Sequence, residues 1–442
     1  MAKIVFIGAG SLGFTRTLIR DLLTFPALRD ATLSLVDINA ERLEFAKRAA
    51  EKIIELGEYP AKVEAVLDRR KALKGADAVV ITILSGGVKV WRHDIEIPMK
   101  YGVDVNIGDT RGPSGVFRYL RTVPEMLAIC KDVERLAPDA IVLNYTNPMA
   151  MLCRSVQRVS DVKFVGLCHS VQHTVAMLAQ WLNVPKEEVT YECAGINHMA
   201  WFLRYEHNFK DMYPRLRQLM KNKRIYYEEV ARNEMFLNLG YYVTESSGHN
   251  TEYNWWFRKT PEHMKRYCLH GKEAFNPGEH AYILKEYMSV EKTWKKDVKD
   301  WFKKKDPIPL EKGDEYAASI INARVSGEPF KFYGNVPNKN LITNLPPNSC
   351  VEVPVLADRS GFHPIQIGQL PASVAVLTNL TAQIEDMAVE GALTGDPTLI
   401  YQSILHDPLT ASVLSFDEVR KMVQEMFRKN RKYLTTFKTI KF

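Results

Sequence analysis

Lys3-Ile4-Val5-Phe6-Ile7-Gly8-Ala9-Gly10-Ser11-Leu12-Gly13 decides the fold. The apolar run Lys3–Ile7 predicts a buried strand. Leu12, Leu18, Ile19 and Leu22 then fall on one side of a helix predicted over Ser11–Leu23. The glycines between them fit G-x-G-x-x-G in the context that gives this pattern its meaning, strand before and helix after. Gly8 permits a tight turn, and Gly10 lets a backbone approach a pyrophosphate. Gly13 is expected to let the helix pack on the strand, and the helix N-terminus at Ser11 favours an anion. Asp37 closes a second strand, Thr32–Val36, 24 residues after Gly13. A carboxylate there accepts hydrogen bonds from ribose hydroxyls and repels a 2′-phosphate, which points to NAD over NADP.

The same alternation continues. Ala40–Leu56 reads as a long amphipathic helix, and Ala78–Ile83, Val103–Ile107, Ala140–Leu143 and Lys163–Leu167 as further short apolar runs. Strands alternating with helices predict an α/β protein with a parallel sheet covered on both faces. Near residue 200 aromatic residues and lysine become frequent. We expect two domains: 1–195, a Rossmann-like nucleotide-binding domain, and 196–442, an α+β domain for substrate, metal and oligomerisation. Lys285–Glu315 reads as a solvated helix and loop. Val351–Val355 reads as a strand, and Ala372–Leu393 and Phe416–Asn430 as helices.

Composition narrows the function classes. Across 442 residues, 46% are hydrophobic and 25% charged, which excludes disordered and fibrous chains. The net charge of +7 is mild for this length and does not indicate a nucleic-acid partner. The uncharged stretches Phe164–Pro185 and Gly361–Ile384 contain His, Gln, Asn and Pro, so no membrane span is expected. Met1-Ala2-Lys3 leads straight into a strand-like run without a signal-peptide pattern. The six cysteines, Cys130, Cys153, Cys168, Cys193, Cys268 and Cys350, form no CxxC pair. A cytoplasmic location with reduced thiols is expected.

A second constellation lies at the ends of predicted strands. Gly166-Leu167-Cys168-His169-Ser170-Val171 and Ala194-Gly195-Ile196-Asn197-His198-Met199 each follow an apolar run. A thiolate and an imidazole suit a borderline divalent metal. Asn144-Tyr145-Thr146-Asn147-Pro148 and Asp109-Thr110-Arg111-Gly112-Pro113-Ser114-Gly115 are polar loops at the same expected edge. Strand carboxyl ends are where ligands bind in open α/β sheets.

Taken together, these segments resemble glycoside hydrolase family 4. The resemblance extends through Asn144–Ala150, Gly166–Gln172, Ala194–Met199, Thr244-Glu245-Ser246-Ser247, Gly327-Glu328-Pro329, Tyr333-Gly334-Asn335-Val336, Asn344-Leu345-Pro346 and Val351-Glu352-Val353. It is strongest toward the α-galactosidase (melibiase) branch, with which Cys168-His169-Ser170-Val171 is associated. It covers residues 3 to 415.

The resemblance implies a fold related to lactate and malate dehydrogenases, with NAD and a divalent metal, usually manganese. It implies glycoside cleavage by oxidation at carbon 3 of the sugar, elimination across carbons 2 and 1, water addition and re-reduction, outside the two-carboxylate rule. Position by position, Cys168 and His198 correspond to metal ligands. Gly8, Gly10, Ser11, Gly13, Asp37, Arg42 and Asn147 are expected to bind the dinucleotide. Asn147, His169, Arg111 and Asn344 are expected to contact substrate. Asp109 is expected as a general acid or metal-supporting group, His169 as an aid to leaving-group protonation, and Tyr253 as the base. A homodimer or homotetramer acting on a small sugar is expected. Other α-glycosides (galacturonides, glucuronides, glucosides), 6-phosphoglycosides, or net oxidation of the malate dehydrogenase type are the alternative activities. The Cys168/His198 pair speaks against the last.

Overall fold

The computed structural model describes residues 1–270, 278–304, 310–347 and 349–442. All thirteen strands among the described residues join one sheet. The first six are β1 (Lys3–Ile7), β2 (Thr32–Val36), β3 (Lys62–Val66), β4 (Ala78–Ile81), β5 (Ile141–Asn144) and β6 (Lys163–Gly166). They run parallel in the order β3-β2-β1-β4-β5-β6, which is the order of a dinucleotide-binding Rossmann sheet.

Both faces of this sheet are buried. Ile4 and Phe6 of β1 enter one apolar cluster, while Val5 and Ile7 enter the other. Side chains alternate across a strand, so a strand buried on both faces must be continuously apolar. Helix Leu12–Leu23 follows β1, and helix Ala40–Leu56 follows β2. The second starts where the Asn39 side chain accepts the N–H groups of Glu41 and Arg42 at 3.1 and 3.0 Å.

The later strands extend the same sheet in antiparallel fashion. They are β7 (Val189–Ile196), β8 (Met199–His207), β9 (Lys210–Asp211), β10 (Tyr242–Val243), β11 (Phe330–Pro337), β12 (Cys350–Asp358) and β13 (Gly361–Pro364). β11 meets β6 at Asn335 and Gly166, and β12 meets β7 at Glu352 and Gly195. Residue 195 therefore lies inside β7, and the sheet is continuous past it. The helices Ala372–Thr394 and Phe416–Asn430 form as expected.

Val103–Ile107 is a correction. It is buried yet forms no strand. Its backbone is held by other groups: Glu252 accepts the N–H groups of Asn106, Ile107 and Gly108 at 3.0, 3.1 and 2.9 Å, and Ala281 N–H donates to the Val105 carbonyl at 2.9 Å. A carboxylate that takes three successive amides replaces a sheet neighbour. β3 is not legible in the sequence because Lys62 and Glu64, on its exposed face, break the apolar run; it is a half-exposed edge strand. The stretch 285–315 holds the end of a long helix, Tyr282–Lys303; residues 305–309 lie outside the described residues. No described helix is long and apolar enough to cross a membrane. All six cysteines are free and buried.

Candidate active site

One cleft runs along the carboxyl ends of the parallel strands. At one end lie Gly8, Gly10, Ser11 and Gly13, with Asp37 and Arg42 beside them. Gly8 has φ +92°, and a Cβ there would lie 2.1 Å from the Thr82 carbonyl oxygen. At Gly10 a Cβ would come 2.6 Å from Asp37 Oδ2. The Gly10 N–H instead donates to that oxygen at 2.7 Å, while Asp37 Oδ1 accepts from Asn39 N–H at 2.8 Å. Ser11 stands at the helix N-cap without a side-chain capping bond. Gly13 departs from its expected role: a Cβ there would meet nothing within 4 Å, so it keeps the cleft open rather than tightening helix packing. This cradle of small residues at a helix N-terminus fits a dinucleotide pyrophosphate.

At the other end the chain gathers metal-type donors. Cys168 follows β6 by two residues, and Glu245 follows β10 by two. His198 belongs to the two-residue turn between β7 and β8. His249 sits on helix Ser247–Tyr253, and Asp109 ends the irregular buried segment. Donor atoms of Cys168, His198 and Glu245 all lie within 4.8 Å of one another, as do those of Asp109, His198 and His249. His198 Nε2 is 3.4 Å from Glu245 Oε2, and His249 Nε2 is 3.7 Å from Asp109 Oδ1. His198 and Glu245 have φ of +62° and +66°, a left-handed backbone that side-chain-bearing residues rarely adopt. Such strain persists where surrounding structure enforces it, and it clusters at functional sites.

The charges follow from burial and pairing. Burial pushes the His198 imidazole down to about 4, so it is neutral and has a lone pair to offer. Burial opposes the charge on Glu245, but His249 and His198 hold its carboxyl at about 2. Burial likewise disfavours a charged His249, yet Glu245 and Asp109 raise it to about 9. The Cys168 thiol is pushed well up by burial, with Glu245 and Glu352 adding to the effect. A cation among these donors would reverse the sense of that last shift. The Cys168 sulfur, the neutral His198 imidazole and the Glu245 carboxylate fit a borderline divalent ion.

Family models tie this arrangement to known proteins. Residues 3–184 match that of the family 4 glycosyl hydrolases, and residues 193–410 match that of their C-terminal domain. The chain belongs to the family 4 glycosyl hydrolases. It is 35% identical to an α-galactosidase of Rhizobium meliloti (strain 1021), over 98% of this chain and 89% of that one. It is 36% identical to an α-galactosidase of Bacillus subtilis (strain 168), over 99% of this chain and all of that one. Its fold superposes with a TM-score of 0.81 on a 6-phospho-α-glucosidase from gut microorganisms, solved with NAD and Mn²⁺, at 17% identity over 98% of each chain.

Within this family 4 glycosyl hydrolase, the structure brings most of the expected residues to the cleft: Gly8, Gly10, Ser11, Gly13, Asp37, Arg42, Asp109, Asn147, Cys168, His169 and His198 all line it. Asn147 Nδ2 donates to Asp109 Oδ2 at 3.1 Å, and His169 Nδ1 lies 3.7 Å from Glu315. Three expected residues are not in that lining. The Tyr253 ring is 1% exposed, and its hydroxyl lies 3.2 Å from His198 Nδ1. Burial pushes its phenol well up, against the opposing pull of Arg111. The phenol thus meets the His198 imidazole and is not part of the cleft lining. Arg111 is buried in an ion pair with Glu385 at 3.0 Å, stacked 4.5 Å from the Tyr253 ring centre. Asn344 exchanges hydrogen bonds with the Leu370 backbone at 2.8 and 2.9 Å and pins a loop.

Sequence reasoning missed Glu245, His249 and Glu252 as site residues. Thr244–Ser247 carried the family resemblance, and His249 follows Glu245 by four residues. That spacing gave the available signal. Glu252 had none, because its work is to hold a loop more than 140 residues earlier.

Proposed function

We propose that this chain is an NAD- and divalent-metal-dependent α-galactosidase. The observation that carries the reading is a single cleft joining a pyrophosphate cradle to two groups of metal-type donors that share His198. A dehydrogenase cleft needs only the first. The α-galactosidase relatives at 35% and 36% identity support the sugar class.

When bound, the dinucleotide would supply a hydride acceptor and the ion a fixed positive charge beside the sugar hydroxyls. Cys168, His198 and Glu245 would hold the ion, with Asp109 and His249 in a second group that shares His198. Tyr253 and Thr110 would fix the imidazole through Nδ1, from which each hydroxyl lies 3.2 Å. Asn147 keeps the Asp109 carboxylate turned into the cleft. Proton transfer falls to groups that face the cleft: His169 toward the departing oxygen, and Asp109 with His249 near the ring carbons. A cytoplasmic homo-oligomer is part of the same proposal.

The experiment is hydrolysis of nitrophenyl glycosides by enzyme dialysed against chelator, then supplied with NAD⁺ and Mn²⁺. The panel covers α-galactoside, α-glucoside, the 6-phosphates of both, α-galacturonide and α-glucuronide. We expect α-galactoside to be cleaved fastest, only with both additions, and without net NADH. Preference for another sugar would overturn the sugar assignment. Full activity without additions would overturn the cofactor assignment.

A further inference from the structure

The helix Tyr282–Lys303 looks in sequence like a solvated charged face, yet it walls the cleft. Val290, Glu291 and Trp294 line the cleft together with Asp37, Ile38 and Arg42. Several contacts tie this helix to the helix after β2. Lys295 Nζ pairs with Glu41 at 2.7 Å, and Lys52 Nζ donates to the Phe302 carbonyl at 3.1 Å.

The central contact is at Arg42. Its Nη2 donates to Glu291 Oε2 at 2.6 Å, and its guanidinium carbon lies 4.5 Å from the Trp294 ring centre. Its Nη1 donates to the Gly10 carbonyl at 3.2 Å. Arg42 thus stands with Asp37 around Gly10: a Cβ on that glycine would come 2.9 Å from the Arg42 Cβ and 2.6 Å from Asp37 Oδ2.

These two residues have opposite preferences. A carboxylate at this place selects a free ribose, whereas an arginine nearby accommodates a 2′-phosphate. A free Arg42 would offset Asp37. We propose that Glu291 settles the contest: by pairing with Arg42 it denies a 2′-phosphate its cation, and so acts with Asp37 to select NAD⁺. The other arginines that follow β3 in the cleft wall are treated alike. Arg69 pairs with Asp132 and Arg70 with Asp68, at 2.8 and 2.9 Å. This inference rests on the reading of the cleft as a dinucleotide site.

The test is direct binding of NAD⁺ and NADP⁺ to the full chain without sugar or metal, by calorimetry and by tryptophan fluorescence. The proteins are wild type, Glu291→Gln, Arg42→Gln and the double variant. The Glu291 side chain is 56% exposed, and a thermal melt checks that each variant is folded. Glu291→Gln should tighten NADP⁺ by about fivefold or more and leave NAD⁺ within about twofold. The gain should shrink as salt rises and vanish in the double variant. Unchanged NADP⁺ affinity in Glu291→Gln, or a gain that survives loss of Arg42, would overturn the role of Glu291 alone. Wild type that binds neither dinucleotide would overturn the cofactor reading and this inference with it.

Discussion

The Tyr253 hydroxyl lies 3.2 Å from His198 Nδ1, and Glu245 Oε2 lies 3.4 Å from Nε2 of the same ring. The phenol contacts Nδ1, which leaves Nε2 turned toward Glu245. Outer partners of this kind fix the orientation of a metal-binding histidine.

Tyr253→Phe should therefore weaken Mn²⁺ binding by about tenfold, with Thr110 retaining part of the contact. Calorimetric titration of the apo chain with Mn²⁺ measures this directly. Unchanged metal affinity together with lost turnover would restore Tyr253 as the base.

Cys168→Ser and His198→Ala should each lower turnover by about a thousandfold or more, because the charge beside the sugar is lost. NAD⁺ affinity should stay nearly constant, since the glycine cradle lies at the far end of the cleft. Equilibrium dialysis with NAD⁺ checks the second half. A parallel loss of dinucleotide binding would mean that these residues support the fold instead.

Asp37→Ala should narrow the gap between NAD⁺ and NADP⁺. The carboxylate otherwise repels a 2′-phosphate by about 1–3 kcal/mol. Affinities for both dinucleotides report the change, and wild type binding both equally would refute the assignment.

Glu352 gives a pH prediction. It is fully buried on β12, and burial raises its carboxyl to about 8, with Glu245 adding and Arg111 opposing. The folded pKa lies above the unfolded value of 4.5. The folded state then binds the extra proton between those values, so stability falls as pH rises from about 4.5 to 8, by about 1.4 kcal/mol per unit. Glu352→Gln should flatten that slope in urea unfolding of the metal-free chain. Parallel curves for both proteins would contradict it.

Five of the six parallel strands were legible because each is a short apolar run ended by a turn, and local pattern suffices for that; β3, with Lys62 and Glu64, was not. The glycine turn and Asp37 likewise announce themselves within 35 residues. Val103–Ile107 misled because its apolar pattern is that of a strand, while its amides are satisfied by a distant Glu252. Cys168 and His198 were found because each follows a strand. Tyr253 stands out in the sequence, but the pattern does not say which way its phenol faces. Whether a phenol faces the cleft or the back of a histidine depends on the packing of Arg111 and Glu385, which no local pattern encodes. The helix Tyr282–Lys303 hid its cleft face for the same reason: Glu291 and Trp294 acquire meaning only against Arg42.

If the chain is the proposed NAD- and metal-dependent α-galactosidase, its glycoside is cleaved through loss and return of the proton on carbon 2, rather than by two carboxylates. Hydrolysis of an α-galactoside in deuterated water, followed by proton NMR of the released galactose, tests it most directly. Deuterium is expected at carbon 2 of the product. Galactose released with that position fully protonated would contradict it.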